Sequence, residues 1–160
     1  MKSLLIIFLK GIGAISVLFL VYNFILFGDF TEINIVKSII VPACVITCLL
    51  LLFHYVLALR SGVKKNFSVH QQAMLQQEFE LSEVKKKLSK ETKWRIINET
   101  ENTLVFKSGM STIKSFGEIV KVTKIQSRLH IESKPSFFAT LVDYGRNFQN
   151  VKKVTTILSN

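Results

Sequence analysis

The residues best suited to chemistry gather in one short turn near the end of the chain, Asp143-Tyr144-Gly145-Arg146-Asn147. Gly145 can take the positive φ of a tight turn, and Asn147 or Asn150 can cap the helix that the following sequence predicts. Free N–H groups at a helix start favour an anion, through their own partial charge and the aligned peptide dipoles. Arg146 sits in the turn, and Arg128 and Lys134, from the strand before it, would add positive charge. The sharper expectation is therefore an anion site made by Asp143, Gly145, Arg146, Asn147, Arg128 and Lys134. The plainer reading of the same residues is a turn and a cap without a ligand.

No other stretch suggests a reaction. The sequence has no Gly-x-x-x-x-Gly-Lys loop, no Gly-x-Gly-x-x-Gly opening a helix and no Gly-x-Ser-x-Gly elbow. His54, His70 and His130 are scattered over different parts of the chain. His54 reads as an interfacial residue and His130 as a surface residue on a strand. Glu118 opens a long strand, where it would pair with a Lys or Arg from a neighbouring strand. Cys44 and Cys48 lie four apart in an apolar run, a poor geometry for bridging each other, and no metal-ligand cluster is visible. The expectation is a protein that is not an enzyme, with no catalytic residues, no metal and no cofactor.

The elements that must position that turn begin with an apolar block. Leu4 to Phe27 and Ser38 to Leu59 would be about 36 Å and 33 Å long as helices, enough to cross about 30 Å of hydrocarbon. Pro42 falls in the first turn of the second, where its missing N–H costs little. The start reads as a retained span rather than a cleaved leader, because the apolar run continues to Phe27, Lys10 interrupts it and no small-residue cleavage site is followed by a polar mature start. Residues 1–60 are thus expected as a transmembrane hairpin. Lys2 and Lys10 precede the first span, and Arg60, Lys64 and Lys65 follow the second, against Lys37 alone in the turn. That distribution puts both termini on the cytoplasmic side of a bacterial inner membrane. Lys10 would reach back to the near interface along its own stem. Gly11, Gly13 and Ala14 would allow close helix approach, and Asn23 would hydrogen-bond across to the other helix or to a second copy of the chain.

Residues 61–76, polar and rich in Gln, read as a stalk, and 77–160 as a small cytoplasmic α+β domain. Alternation over Gln77–Leu81 predicts a strand, and Ser82 would cap a short helix carrying Lys85, Lys86 and Lys87. Strand-like runs follow at Trp94–Ile97, Thr103–Lys107, Phe116–Ile125 and Ser127–Glu132, with a further edge strand at Phe137–Val142. Phe148, Val151, Val154 and Leu158 recur at helical spacing to the end. The order β-α-β-β-β-β-α implies an antiparallel sheet with helices on one face.

Two resemblances accompany these residues. The segment SKPSFFATLVDYGRNFQNVKKV, with Ser133, Asp143, Gly145 and Asn147, is similar to the ending of some uncharacterised bacterial domains and implies no activity. The layout resembles, in architecture only, bacterial antiphage effectors that join two spans to a small ligand-binding domain.

The net charge of +10 is concentrated after the hairpin, where residues 66–160 hold fifteen Lys and Arg against nine acids. A basic domain tethered to a bilayer faces anionic headgroups. No aromatic and basic interleaving of an RNA-binding kind is present, which argues against nucleic acid. The leading expectation is a membrane-anchored, non-catalytic module that binds a partner protein or anionic lipid. Arg60, Lys64, Lys65, Lys85, Lys86 and Lys87 would be its lipid-facing cations. The alternative is a ligand-gated effector, whose domain senses a nucleotide-like anion and rearranges the hairpin.

Overall fold

The computed structural model of the chain describes residues 2–28, 34–64, 66–109, 117–137 and 140–160. Helix α1 runs over Lys2–Phe27, and a π-helical turn at Val36–Ile40 leads into helix α2, Val41–Arg60. The two lie antiparallel. Ile7, Gly11 and Ile15 of α1 turn inward every four residues, against Ala43, Thr47, His54 and Ala58 of α2. The small members of these rows bring the backbones together: a Cβ on Gly11 would stand 2.6 Å from Thr47 Cγ2. At the other end of the pair, Leu4 packs on Ala58, Val63 and Phe67. Both helices are long and apolar enough to cross a membrane, and only 11% and 22% of their most apolar windows are covered by protein.

The rest of the chain is α+β, with a five-stranded antiparallel sheet. Its strands are β1 Gln71–Leu75, β2 Arg95–Thr100, β3 Thr103–Lys107, β4 Glu118–Ile125 and β5 Arg128–Pro135, in the order β1-β5-β4-β3-β2. Helix α3, Leu81–Glu91, lies between β1 and β2 in the chain, and helix α4, Arg146–Ser159, closes it. Register builds the core directly. Ala73, Ile131, Val122 and Leu104 stand in one row across four strands, with Gln71, Ser133, Val120 and Phe106 in the next. Val84 and Leu88 of α3 and Val151, Val154 and Leu158 of α4 cover these rows in one apolar cluster. The opposite face carries Lys121, Glu132 and His130, so the alternation of period two separates core from solvent.

The first strand departs from the expectation. Gln77–Leu81 is not a strand; β1 lies earlier, in the stretch read as a stalk. Gln71 hides this signal because it is polar yet buried, its amide donating to the carbonyls of Asn66 at 2.8 Å and Ser68 at 2.6 Å. Phe79 and Leu81 alternate because an irregular segment and the first residue of α3 are pressed on the core. That helix starts at Leu81 with no side-chain cap, so Ser82 is not its N-cap. Phe137 and Thr140–Val142 have no strand structure, and the remainder of the expected edge strand, Phe138 and Ala139, lies outside the described residues.

Candidate functional site

The start of α4 is where the sequence placed its site, and the chain fills that place with its own carboxylate. Gly145 has φ of 79° and Tyr144 of 54°, two left-handed residues that turn the backbone sharply into the helix. Asp143 Oδ1 accepts the Gly145 N–H at 3.1 Å, and Oδ2 accepts the Asn147 N–H at 2.9 Å. Oδ2 also accepts the Asn147 side-chain amide, at 2.9 Å. The Gly145 and Asn147 N–H groups are therefore engaged, and the Arg146 N–H donates to the Asp143 carbonyl at 3.1 Å. Asp143, rather than Asn147 or Asn150, does the capping, from three residues before the helix starts at Arg146. Burial pushes the Asp143 carboxyl above the usual carboxylate value, although the Asn147 and Gly145 donors pull the other way.

From Asn147 the bonds run inward. Its Oδ1 accepts the Ser133 hydroxyl at 2.6 Å, and Ser133 Oγ accepts the Asn150 amide at 3.3 Å. Ser133 and Asn147 are wholly buried. These contacts fasten α4 to β5 at a buried polar position of the core row, next to Gln71.

A second set of bonds fastens the same turn to α2. His54 Nε2 lies 2.8 Å from the Phe67 carbonyl, and Nδ1 lies 3.3 Å from the Tyr144 N–H. A carbonyl only accepts and an amide N–H only donates, so Nε2 is the donor of the pair and Nδ1 the acceptor. Asp143 Oδ1 is 3.8 Å from Nδ1. Beside it, the Ser61 hydroxyl shares its proton between the carbonyls of Leu57 at 2.9 Å and Tyr144 at 3.3 Å, and accepts the Gln149 amide at 3.1 Å. Gly145 comes so close that an added Cβ would meet Ser61 Cβ at 2.8 Å and the Ala58 Cα at 3.1 Å. The buried assembly is a joint between the helix pair and the sheet domain.

Glu118 is the remaining buried charge. It is 1% exposed; Oε2 accepts the Ser108 hydroxyl, whose Oγ in turn accepts the Glu118 N–H at 2.8 Å. Arg146 Nε stands 3.1 Å from Oε1 without aligning an N–H on it, so that pairing is Coulombic. Its partner thus comes from α4 and not from a neighbouring strand.

The other expected site residues separate. Arg128 pairs across the tight turn with Ile125, at the far end of β5 from Ser133, about 17 Å away at 3.4 Å per residue. Lys134 alternates to the opposite sheet face and lies 3.9 Å from Glu132. Neither converges on Arg146. Asn23 donates to the Phe19 carbonyl of its own helix at 2.7 Å, not across the pair. Gly11 is at the α1–α2 contact, while Gly13 has nothing within 4 Å and Ala14 is exposed. On α3, Lys85 is 2.7 Å from Glu99, and Lys87 is 3.7 Å from Glu83 and over the Phe79 ring; Lys86 is exposed. Arg60 and Lys64 are exposed at the end of α2, and Lys65 lies outside the described residues.

Sequence reasoning missed His54, Ser61 and Ser108 as parts of a buried network. For His54 a signal existed, since it falls on the row of Thr47 and Ala58, the inward face of α2. The two serines carry none. Among the described residues no cluster of His, Cys, Asp or Glu is arranged to hold a metal ion. Grooves open at the surface near the joint, among the described residues. One of about 730 Å³ runs between α1 and the domain. One of about 500 Å³ lies beside Arg60 and Tyr144, and one of about 350 Å³ beside Lys152 and Lys153. Comparison with known proteins finds no matching family model, no matching curated protein and no matching solved structure.

Proposed function

We propose that this chain is a membrane-anchored, non-catalytic module whose helix pair holds a basic α+β domain rigidly at the cytoplasmic surface, to engage anionic headgroups or a protein partner. The observation that carries this reading is the joint. His54, Ser61 and Gly145 fix the domain to the end of α2 through buried bonds and a contact too close for a side chain, so the domain has a set orientation. The bare apolar sides of both helices are the surface that acyl chains would cover. Cations near the foot of the pair, namely Lys2, Arg60, Lys64 and Lys152, are exposed, and each would contribute about 1 kcal/mol near an anionic surface. The helix α3 lysines are less suited to lipid, because two of the three are paired within the domain.

The ligand-gated alternative is the second reading; it draws less support from the turn at α4, where the Gly145 and Asn147 N–H groups already donate to Asp143.

The test is extraction of the full chain from its own membranes in a mild detergent, followed by mass spectrometry of the retained lipid and protein. The expected result is enrichment of anionic phospholipid over the bulk membrane, or a stoichiometric partner. A chain that leaves the membrane without detergent, or emerges alone with lipid of bulk composition, refutes the reading. An impermeant maleimide should label a cysteine placed at Ser159 only from the cytoplasmic side.

A further inference from the structure

The groove between α1 and the domain has a wall whose composition is uneven in an informative way. On α1, Lys2, Ile6, Lys10 and Ala14 recur every four residues and form one stripe along it. Facing them are Val69 and His70 from the segment leading into β1, and Thr140 and Leu141 from the segment before Asp143. No Asp or Glu lines the groove among the described residues. Glu132, outside the groove lining, lies 3.0 Å from His70 and 3.9 Å from Lys134. Lys2 and Lys10 are both exposed and form no ion pair among the described residues.

Depth makes Lys10 the unusual member. It stands about 12 Å along the helix axis from Lys2, at 1.5 Å per residue. The polar layer on each side of a bilayer is only about 5–8 Å thick. If Lys2 meets water, Lys10 reaches the level where acyl chains begin, and an ammonium there requires an anion. The anion that a bilayer itself supplies at that level is a lipid phosphate. Ile6, Ala14 and Leu141 give the first carbons of an acyl chain an apolar wall, and 730 Å³ is within the size range of small-ligand sites, about 300–1,000 Å³.

We propose that the groove between α1 and the domain binds one phospholipid with an anionic headgroup, its phosphate on Lys10 and its headgroup toward Lys2. The proposal rests on the membrane-anchored reading above and narrows it from a charged surface to one site. A zwitterionic lipid carries its own headgroup cation, which competes with the lysines for the phosphate and is repelled by Lys2; a lipid such as phosphatidylglycerol has no such cation, so its one negative charge is shared by the two lysines and its neutral hydroxyls face Lys2.

The experiment uses the full chain in neutral detergent, titrated separately with short-chain phosphatidylglycerol, short-chain phosphatidylcholine and inorganic phosphate, with bound lipid counted by native mass spectrometry and unfolding followed thermally. Phosphatidylglycerol should bind at one per chain and raise the melting temperature. Lys10→Gln should weaken it about tenfold, the effect of one charge-assisted bond. Lys86→Gln, on α3, should leave it unchanged. Ala14→Trp keeps both lysines and the exposed helix surface while filling the groove, and should reduce binding as well. Equal binding of phosphatidylcholine, or full reproduction of the effect by inorganic phosphate, overturns the proposal. Equal weakening by Lys10→Gln and Lys86→Gln overturns the site but leaves a diffuse basic surface standing. No enrichment of any anionic lipid overturns both.

Discussion

Replacing Gly145 by alanine should damage the joint more than any comparable change in the chain. The perturbation has two parts. Holding an alanine at φ of 79° costs about 1–2 kcal/mol, the steric penalty of the left-handed region. The new methyl would also stand 2.8 Å from Ser61 Cβ and 3.1 Å from the Ala58 Cα, and the second of these is backbone that cannot rotate away. Forcing an extra methyl into such a space costs about a further 1–3 kcal/mol. Gly62 provides the control. Its φ is 92°, but its nearest neighbour would be the Phe148 ring at 3.6 Å, an ordinary contact. Gly62→Ala should therefore show the backbone penalty alone. In a chain of 160 residues each kcal/mol moves the melting temperature by about 2–4 °C, so thermal unfolding of the full chain in detergent resolves the two variants. Hydrogen exchange at the Tyr144 amide should accelerate in Gly145→Ala and stay slow in Gly62→Ala, because only the first pushes Tyr144 off the His54 ring. Equal losses in the two variants would refute the close approach of α4 to α2, and with it the rigid joint.

Three further outcomes are expected. Arg146→Ala should destabilise by less than the ~3–5 kcal/mol of breaking a fully buried pair, because Arg146 is 26% exposed. Adding Glu118→Gln to it should restore most of the loss in a denaturant titration, since the orphaned charge is then gone. The carboxyl of Asp143 titrates above its ordinary 3.8, so it holds its proton more firmly folded than unfolded. Its contribution is complete below pH 3.8 and is lost as pH rises through the folded value. Asp143→Asn should remove that downward step from a plot of melting temperature against pH. It should also impose a pH-independent loss of about 1–3 kcal/mol, because one oxygen cannot accept what two did. Finally, Gly11→Val should destabilise the full chain in detergent by about 1–3 kcal/mol through Thr47, whereas Gly13→Val, facing open space, should stay within about 0.5 kcal/mol.

Much of the sheet was legible because period-two alternation carries it: Leu104 and Phe106, Val120 and Val122, Leu129 and Ile131 all face the core. The same rule, applied once more, separates Lys134 from Ser133 and would have removed it from the anion site. β1 was not legible, because its buried member is a glutamine satisfied by backbone carbonyls from its own approach segment. Glu118 was correctly expected to meet a cation, but the cation arrives from a helix 28 positions later, which no local pattern encodes. The turn at Asp143 was legible as a turn. What it binds was not, because an anion site and a self-capped helix use the same residues, and only coordinates show which acceptor holds the N–H groups.

The joint also dictates a sequence of events during synthesis. His54 and Tyr144 are ninety residues apart in the chain, and β1 must wait for β5, the last strand made. At about 5–20 residues per second, the two helices leave the ribosome roughly 5–18 s before the turn that seats on them exists. During that interval His54 has no amide to accept and the foot of α2 stands bare. The helix pair is thus placed first and the domain closes onto it afterwards. Anything bound to that foot in the interval would compete with the turn for the same surface.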